Sequence, residues 1–313
     1  MAAPFTPFDI GRVVKKYDVL SMNRSGTTPS HRLAPPSYFS VVRNTYPTAV
    51  LAETFGTKTL DFIQSTFEYS SNDVLVAESI CSDDIDAPVF NLNIGQFPDS
   101  MTQALNPFLA GGIGGFPHTG VTGLAAWISH VPATGSLFLY SAPHIGITID
   151  GSVGFVRRRG QNGRLSGTCG AVNAAIGSVV DQGWTPSLSA VTPLAGAFGP
   201  ISVYYDYQQF TLTNILYNNK NTLIATPASD RMRVATEMIR VASKEWINSN
   251  LSTSYTAVTA SVGTPDVYFA TGTFINTDDG YDAYMQVNSF EKYNPITRDW
   301  TDYTSSYLAA ITP

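Results

Sequence analysis

Short apolar runs that end at turn residues alternate with longer amphipathic segments along most of the chain. Residues 74–77 follow an Asn-Asp turn and predict a buried parallel strand, and residues 136–140 predict another. Residues 108–115 predict a short strand that runs into glycines. Amphipathic or small-residue periodicity predicts a helix or a broken helix pair over residues 47–69. It also predicts helices over residues 97–105, 122–130, 170–180, 210–216 and 230–248.

Two stretches near the C-terminus alternate apolar and polar residues, at 266–274 and 284–290, around the turn Asp278-Asp279-Gly280. They predict an antiparallel hairpin on the sheet edge. Residues 147–156, around Asp150-Gly151, predict a second hairpin. The alternation of strands and helices predicts an α/β fold with a mostly parallel central sheet flanked by helices.

The first 36 residues are rich in Pro, Ser and Thr and show little periodicity. They predict an N-terminal arm with a short helix near residues 10–22. Residues 37–313 are expected to form a single α/β domain, since that length suffices for one large core.

A net charge of −6 argues against a nucleic-acid surface, with Arg157-Arg158-Arg159 as the local exception. A charged content of 13% is low and indicates extensive burial, including a subunit interface. The sequence shows neither an apolar run long enough for a membrane span nor a secretory signal. Two cysteines do not make a disulfide framework, so a reducing compartment is expected, either the cytoplasm or a plastid after removal of a transit peptide.

Residues 111–170 contain three of the four histidines and one of the two cysteines. Cys81 follows a predicted strand at its carboxyl end, where open α/β sheets place their sites. His144 follows another predicted strand, and Cys169 lies at a predicted helix start. Thiolate and imidazole are zinc ligands. Spacing alone also allows two buried structural cysteines or a disulfide.

Several motifs occur in the order typical of one known family. They are Cys81-Ser82-Asp83-Asp84, Gly112-Ile113-Gly114-Gly115, Gly120-Val121-Thr122-Gly123, Ser129-His130-Val131-Pro132, Pro143-His144-Ile145, Arg158 to Gly160, and Cys169-Gly170-Ala171. From Arg43 to the late hairpin, the chain resembles the limiting-CO2-inducible protein B family, also called theta-class carbonic anhydrases. The resemblance implies a fold like the beta-class carbonic anhydrases, a homodimer, and a Zn²⁺ held by Cys81, His144 and Cys169.

The reaction implied by this resemblance is the reversible hydration of CO2 to bicarbonate by zinc-bound hydroxide. Asp83 would either ligate zinc and close the site, or turn away and accept a hydrogen bond from the bound water. In the beta class an arginine four residues after the first cysteine holds this aspartate, but Ile85 occupies that position here. The arginine must therefore come from elsewhere, and the candidates are Arg43 and Arg158.

Other interpretations remain open. His118 or His130 would move protons, or would be a capping or buried neutral histidine. Without an arginine at position 85, the chain could be a non-catalytic, zinc-stabilised protein of a carbon-concentrating assembly. A thiol enzyme that uses Cys169 is a third class, and it requires a base near the thiol and activity without metal.

Overall fold

The computed structural model describes residues 36–69, 73–83, 107–131, 134–158, 163–186, 207–258, 264–278 and 283–312. The predicted N-terminal arm, except its last residue, and the helix predicted over residues 97–105 lie outside the described residues. Asp84, Ile85 and Arg159 lie outside them as well.

Strands are numbered in chain order over the described residues. They are β1 (Val50–Leu51), β2 (Val74–Ile80), β3 (Phe108–Leu109), β4 (Ser136–Ala142), β5 (His144–Gly146), β6 (Phe155–Arg157), β7 (Leu165–Gly167), β8 (Val267–Asn276), β9 (Tyr284–Asn294) and β10 (Asp299–Asp302).

The helices of the described residues are numbered in the same way. They are α1 (Pro36–Thr45), α2 (Ala52–Phe67), α3 (Gly120–Ser129), α4 (Gly170–Val180), α5 (Tyr207–Asn218), α6 (Lys220–Ala225), α7 (Arg231–Thr256) and α8 (Thr304–Ile311). None of them combines the length and the hydropathy that a membrane crossing requires.

The central sheet has the strand order β1-β9-β8-β4-β2-β3. The β2–β3, β2–β4 and β4–β8 pairs are parallel, as the buried apolar runs predict. The β8–β9 hairpin adds an antiparallel edge, and both β1 and β10 pair with β9. This confirms the predicted mostly parallel sheet with a C-terminal hairpin at its edge.

Strand β4 is buried along its whole length and supplies core residues to both faces of the sheet. Phe138 and Tyr140 pack on the face covered by α2 and α8. Leu137 and Leu139 pack on the opposite face, with Trp127 of α3 and residues of α7. Because side chains alternate along a strand, one apolar run serves both layers. This burial keeps the carboxyl end of β4 in a fixed place below the site.

Strand β5 continues the path of β4 along β8, after a break at Pro143. Leu137–Ser141 pairs with Val267–Thr271, and His144 then pairs with Phe274. The backbone N–H of Phe274 donates to the Pro143 carbonyl at 3.0 Å, so the sheet continues across the break. His144 is therefore held by strand pairing and not by a free loop.

Three predicted elements differ from the structure. The segment 153–156 does not pair with 147–149 as a hairpin; a single bridge joins Ile147 to Val153, and β6 pairs instead with β7. The strand predicted over 108–115 ends at Leu109, because glycines carry the chain into a 3₁₀ turn, Ile113–Gly115. The helix predicted over 47–69 begins at Ala52, after the two residues of β1 have paired with β9.

Candidate metal centre

Cys81 follows the carboxyl end of β2 and is 5% exposed. The backbone N–H of Gly114 donates to its sulfur at 3.1 Å. Gly114 has a φ of +69°, which turns the glycine-rich segment toward the cysteine. The neighbouring Gly111 packs so closely on β2 that a Cβ there would lie 2.3 Å from the Ile80 carbonyl oxygen. The glycines thus bring backbone donors against Cys81.

His144 is fully buried in β5. Its Nδ1 lies 2.8 Å from Oδ1 of Asn276, the last residue of β8. Since an amide oxygen only accepts, Nδ1 carries the proton and Nε2 is the nitrogen with a lone pair for a metal. The strand pairing and this hydrogen bond together fix the orientation of the imidazole.

Cys169 is the N-cap residue of α4 and is 1% exposed. It has an extended backbone, with φ −101° and ψ 107°, and its carbonyl accepts from the backbone N–H of Asn173 at 3.1 Å. The positive end of the helix dipole lies at this residue and favours a thiolate there. The helix predicted over Gly170–Val180 is confirmed with the same bounds.

The possible ligand atoms of Cys81, His144 and Cys169 all lie within 4.8 Å of one another. The two sulfurs are 4.0 Å apart, and both cysteines are free thiols. Two zinc–sulfur bonds of about 2.3 Å at a tetrahedral angle place their sulfurs roughly 3.8 Å apart. The cluster therefore has the donor chemistry and the spacing that suit a tetrahedral metal ion, and it does not contain a disulfide.

The pKa of the Cys81 thiol is raised well above its ordinary value. Its hydrogen bond with Cys169 is the main cause, burial adds to the effect, and His144 opposes it. Burial against a second sulfur therefore favours the protonated form of the Cys81 thiol in the metal-free protein. A bound cation would reverse this preference, because it stabilises both thiolates.

Asp83 lies two residues after Cys81, and Arg158 lies directly after β6. The two Arg158 terminal nitrogens donate to the two Asp83 carboxylate oxygens, each at 2.9 Å. Arg158 also donates to the Thr168 carbonyl at 2.6 Å, next to Cys169. Both side chains of the ion pair are largely buried, with 17% and 16% exposed. This bidentate pair holds the carboxylate in one orientation beside the three possible ligands.

Arg43, the other candidate partner of Asp83, makes different contacts on α1. Its Nε donates to the Ala49 carbonyl at 3.1 Å, and its guanidinium lies 4.4 Å from the centroid of the Phe39 ring. The structure thus brings Arg158, and not Arg43, onto Asp83.

The two histidines weighed as proton carriers differ in their surroundings. His118 packs against Phe116 and Tyr207, with ring centroids 5.3 and 6.0 Å away, and burial lowers its pKa. A Cβ on Gly112 would come within 2.7 Å of the His118 ring. His130 is exposed at the C-terminal end of α3. Neither histidine belongs to the three-residue ligand cluster of the described residues.

Residues that support the site escaped the sequence reasoning. Asn276 orients His144 from 132 positions away, and the Gly114 N–H reaches the Cys81 sulfur. One sequence feature could have indicated Asn276: it is a polar residue at the end of a long apolar run, two residues before the turn that begins at Asp278. The Gly114 contact could not be predicted from residue type, because the backbone N–H makes it.

Comparisons with known proteins agree with this fold. A family model described as limiting CO2-inducible proteins B/C beta carbonic anhydrases matches residues 51–294. The crystal structure of PtLCIB4, a homolog of the limiting CO2-inducible protein LCIB, has a TM-score of 0.67 and 23% identity, covering 84% of this chain and 98% of that chain. The crystal structure of LCIB itself has a TM-score of 0.50 and 17% identity, covering 83% of this chain and 95% of that chain.

These two structural similarities show that the chain shares its fold with PtLCIB4 and LCIB. No curated protein matches the chain in sequence. The family model covers well over half of the 313 residues, and it includes all three residues of the ligand cluster. The chain therefore belongs to the limiting CO2-inducible proteins B/C family of beta carbonic anhydrases.

Proposed function

We propose that this protein is a zinc-dependent carbonic anhydrase, which converts CO2 and water reversibly to bicarbonate and a proton. Cys81, His144 and Cys169 are its proposed metal ligands. The observation that carries the proposal is the convergence of two thiols and one imidazole within 4.8 Å, beside a carboxylate held by an arginine. The substrates are CO2 and bicarbonate.

The donor set favours zinc among the common cations. Thiolate and imidazole suit zinc, whereas Mg²⁺ and Ca²⁺ prefer oxygen ligands. Three protein ligands leave one tetrahedral position for solvent, as in catalytic zinc sites. When bound there, zinc lowers the pKa of a coordinated water toward ~7 and so supplies a nucleophile at neutral pH.

The chain's own residues hold and orient the site. The Oδ1 of Asn276 accepts a hydrogen bond from the Nδ1–H of His144 and keeps Nε2 directed at the cluster. Arg158 holds Asp83 in the bidentate pair, so that the carboxylate is turned toward the guanidinium and would not ligate a bound metal ion. Asp83 can then accept a hydrogen bond from the attacking water and orient its lone pair toward CO2.

The Asp83–Arg158 pair favours an enzyme over a non-catalytic zinc-stabilised protein, because a purely structural zinc has no need of a held carboxylate. A thiol enzyme built on Cys169 is disfavoured, since this sulfur is 1% exposed and faces a second thiol. The single domain over residues 37–313 and the homodimer are parts of the same proposal, and sedimentation velocity tests the dimer.

Stopped-flow CO2 hydration by the zinc-loaded protein tests the function, with Cys81→Ala as the metal-free control. Activity in the wild type and its loss with zinc in the control support an enzyme. One zinc per chain without hydration in the wild type would leave the non-catalytic zinc protein as the better account. Hydration that persists after zinc is removed would overturn the assignment.

A further inference from the structure

Two residues at the end of β8 contact different parts of the candidate site, namely Asn276, its last residue, and Asp278, two residues further on. Asn276 orients His144, and Asp278 contacts Arg157, the residue before the arginine that holds Asp83. The site itself is assembled from β2, β5, β6 and α4, and this strand end touches two of those elements. The three possible metal ligands do not by themselves explain why the end of β8 contacts both of these elements.

Asp278 is nearly buried, with 9% of its side chain exposed, and it lies two residues after the end of β8. Its Oδ1 accepts from the Arg157 backbone N–H at 2.8 Å. Its Oδ2 accepts from the Arg157 guanidinium at 2.9 Å and from the Ile149 backbone N–H at 3.1 Å. One carboxylate thus binds Arg157 by its backbone and by its side chain.

The Asp278 backbone is itself anchored. Its N–H donates to the Tyr38 hydroxyl at 3.0 Å, and that hydroxyl donates to the Ile147 carbonyl. Tyr38 is fully buried on α1. Asp278 therefore links the end of β6 to α1 and to the central sheet, so that the position of Arg157 depends on both.

Fixing Arg157 also fixes the direction of Arg158. Neighbouring residues of an extended strand project to opposite faces. The partners of the two arginines differ accordingly: Arg157 binds Asp278, and Arg158, the residue directly after β6, binds Asp83 and the Thr168 carbonyl. A bidentate pair needs both nitrogens in place, so a small rotation of β6 would break one of its bonds.

We infer that Asp278 is a positioning residue of the proposed reaction: by holding Arg157 it aims Arg158 at Asp83. This rests on the proposed function. Asp150 provides a natural comparison, because it binds the same Arg157 guanidinium at 2.9 Å from the solvent side, with 55% of its side chain exposed. Asp150 does not contact the Arg157 backbone through any of the described hydrogen bonds, so it should have little influence on Arg158.

The test compares Asp278→Asn with the matched control Asp150→Asn in the zinc-loaded protein. The asparagine amide accepts at one atom only, and its NH2 faces N–H donors in place of the second oxygen. We expect Asp278→Asn to lower kcat by about 10- to 100-fold with a smaller change in KM, because loss of an orienting partner has effects of this size. Asp150→Asn should stay within about twofold of the wild type, as expected for an exposed ion pair.

Two further readouts separate positioning from general destabilisation. Arg157→Ala keeps the backbone bond to Oδ1 but loses the guanidinium, so its kcat should fall between those of the two aspartate variants. The visible spectrum of the Co²⁺-substituted Asp278→Asn protein should shift in the same direction as that of Arg158→Ala, while zinc content stays at the wild-type level. Wild-type kcat and spectrum in Asp278→Asn, or equal losses in Asp150→Asn, would overturn the inference.

Crystal structures of the wild type and of Asp278→Asn test the positioning role without any measurement of activity. If the wild type hydrates no CO2, the function fails, yet the Arg158–Asp83 pair can still be compared between the wild type and Asp278→Asn. We expect at least one of its two 2.9 Å bonds to be lost in the variant. If Asp278→Asn does not fold, Arg157→Ala supplies the comparison. An unchanged pair in the variant that folds would contradict the positioning role.

Discussion

Arg158 and Asp83 form a bidentate ion pair across 75 positions of sequence, with both nitrogen–oxygen distances at 2.9 Å. The pair lies beside the Cys81–His144–Cys169 cluster, since Asp83 is two residues from Cys81 and Arg158 also binds the carbonyl of the residue before Cys169. Four residues after Cys81, where the resemblance to the beta class predicts this arginine, the chain has Ile85. Here Arg158, directly after β6, binds Asp83, so the orientation of this carboxylate depends on a distant part of the chain.

Arg158→Ala should lower kcat/KM for CO2 hydration by about 10²-fold or more and leave zinc bound, because a positioned acid–base group is commonly worth that much. Arg158→Lys should not restore activity, since an ammonium cannot make the planar two-point contact. Stopped-flow assays with zinc quantification check both. Arg43→Ala is the matched control, and it should affect stability more than kcat. If Arg43→Ala lost activity and Arg158→Ala kept it, Arg43 would be the arginine that acts with Asp83.

Asp83→Ala should retain zinc and lose hydration, because the carboxylate orients the reacting water and is not one of the three ligands in the cluster. Asp83→Asn should lose most of the activity too, since its amide presents a donor to the Arg158 guanidinium. Elemental analysis and the same hydration assay provide the measurement. Full activity in Asp83→Ala would remove Asp83 from the reaction.

Asn276→Ala should weaken zinc binding about 10- to 100-fold, because the imidazole of His144 loses the partner that fixes its tautomer and orientation. Asn276→Asp is the control, since a carboxylate oxygen can accept the same Nδ1 proton. Competition with a zinc chelator measures both affinities. Equal affinity in Asn276→Ala and the wild type would show that strand pairing alone orients His144.

The free energy of unfolding should decrease as the pH falls below about 6.5, in part because of His118. Burial lowers the pKa of His118 from its ordinary value of 6.5, so the unfolded chain binds a proton at a pH where the folded protein does not. This stabilisation is present at pH 7 and is lost progressively down to the folded-state pKa. Denaturant unfolding at several pH values should show a flatter pH dependence for His118→Gln than for the wild type.

His130→Gln is the control for this series, because His130 is exposed at the end of α3. It shows what replacing a histidine outside the Phe116 and Tyr207 contacts does to stability. If His118→Gln and the wild type keep a constant difference from pH 5 to 7.5, another group causes the acid sensitivity.

The sequence predicted the parts of this fold that depend on local pattern. The buried runs of β2 and β4 and the small-residue helix α4 were found because side-chain periodicity and strand-end position reveal them directly. The antiparallel edge strand β9 was found from its alternation. By contrast, the pairing of β6 with β7 was missed, because the turn signal at Asp150-Gly151 suggested a nearer partner for residues 153–156.

The site needed more than local pattern. Spacing placed Cys81, His144 and Cys169 at strand or helix ends, but their convergence on one point was implied only by the family resemblance. Arg158 was one of two candidate arginines, and nothing in the local sequence decides which of them reaches Asp83. The roles of Asn276 and Asp278 were not predicted, because their hydrogen bonds span 132 and 121 positions and leave no periodic pattern in the sequence.

The most direct test is a crystal structure of the purified protein with anomalous diffraction data collected at the zinc absorption edge. The account predicts one strong peak per chain, about 2.3 Å from the sulfurs of Cys81 and Cys169 and about 2.0–2.1 Å from Nε2 of His144, with Asp83 still paired to Arg158. A site without an anomalous peak, or a disulfide between the two cysteines, would contradict it.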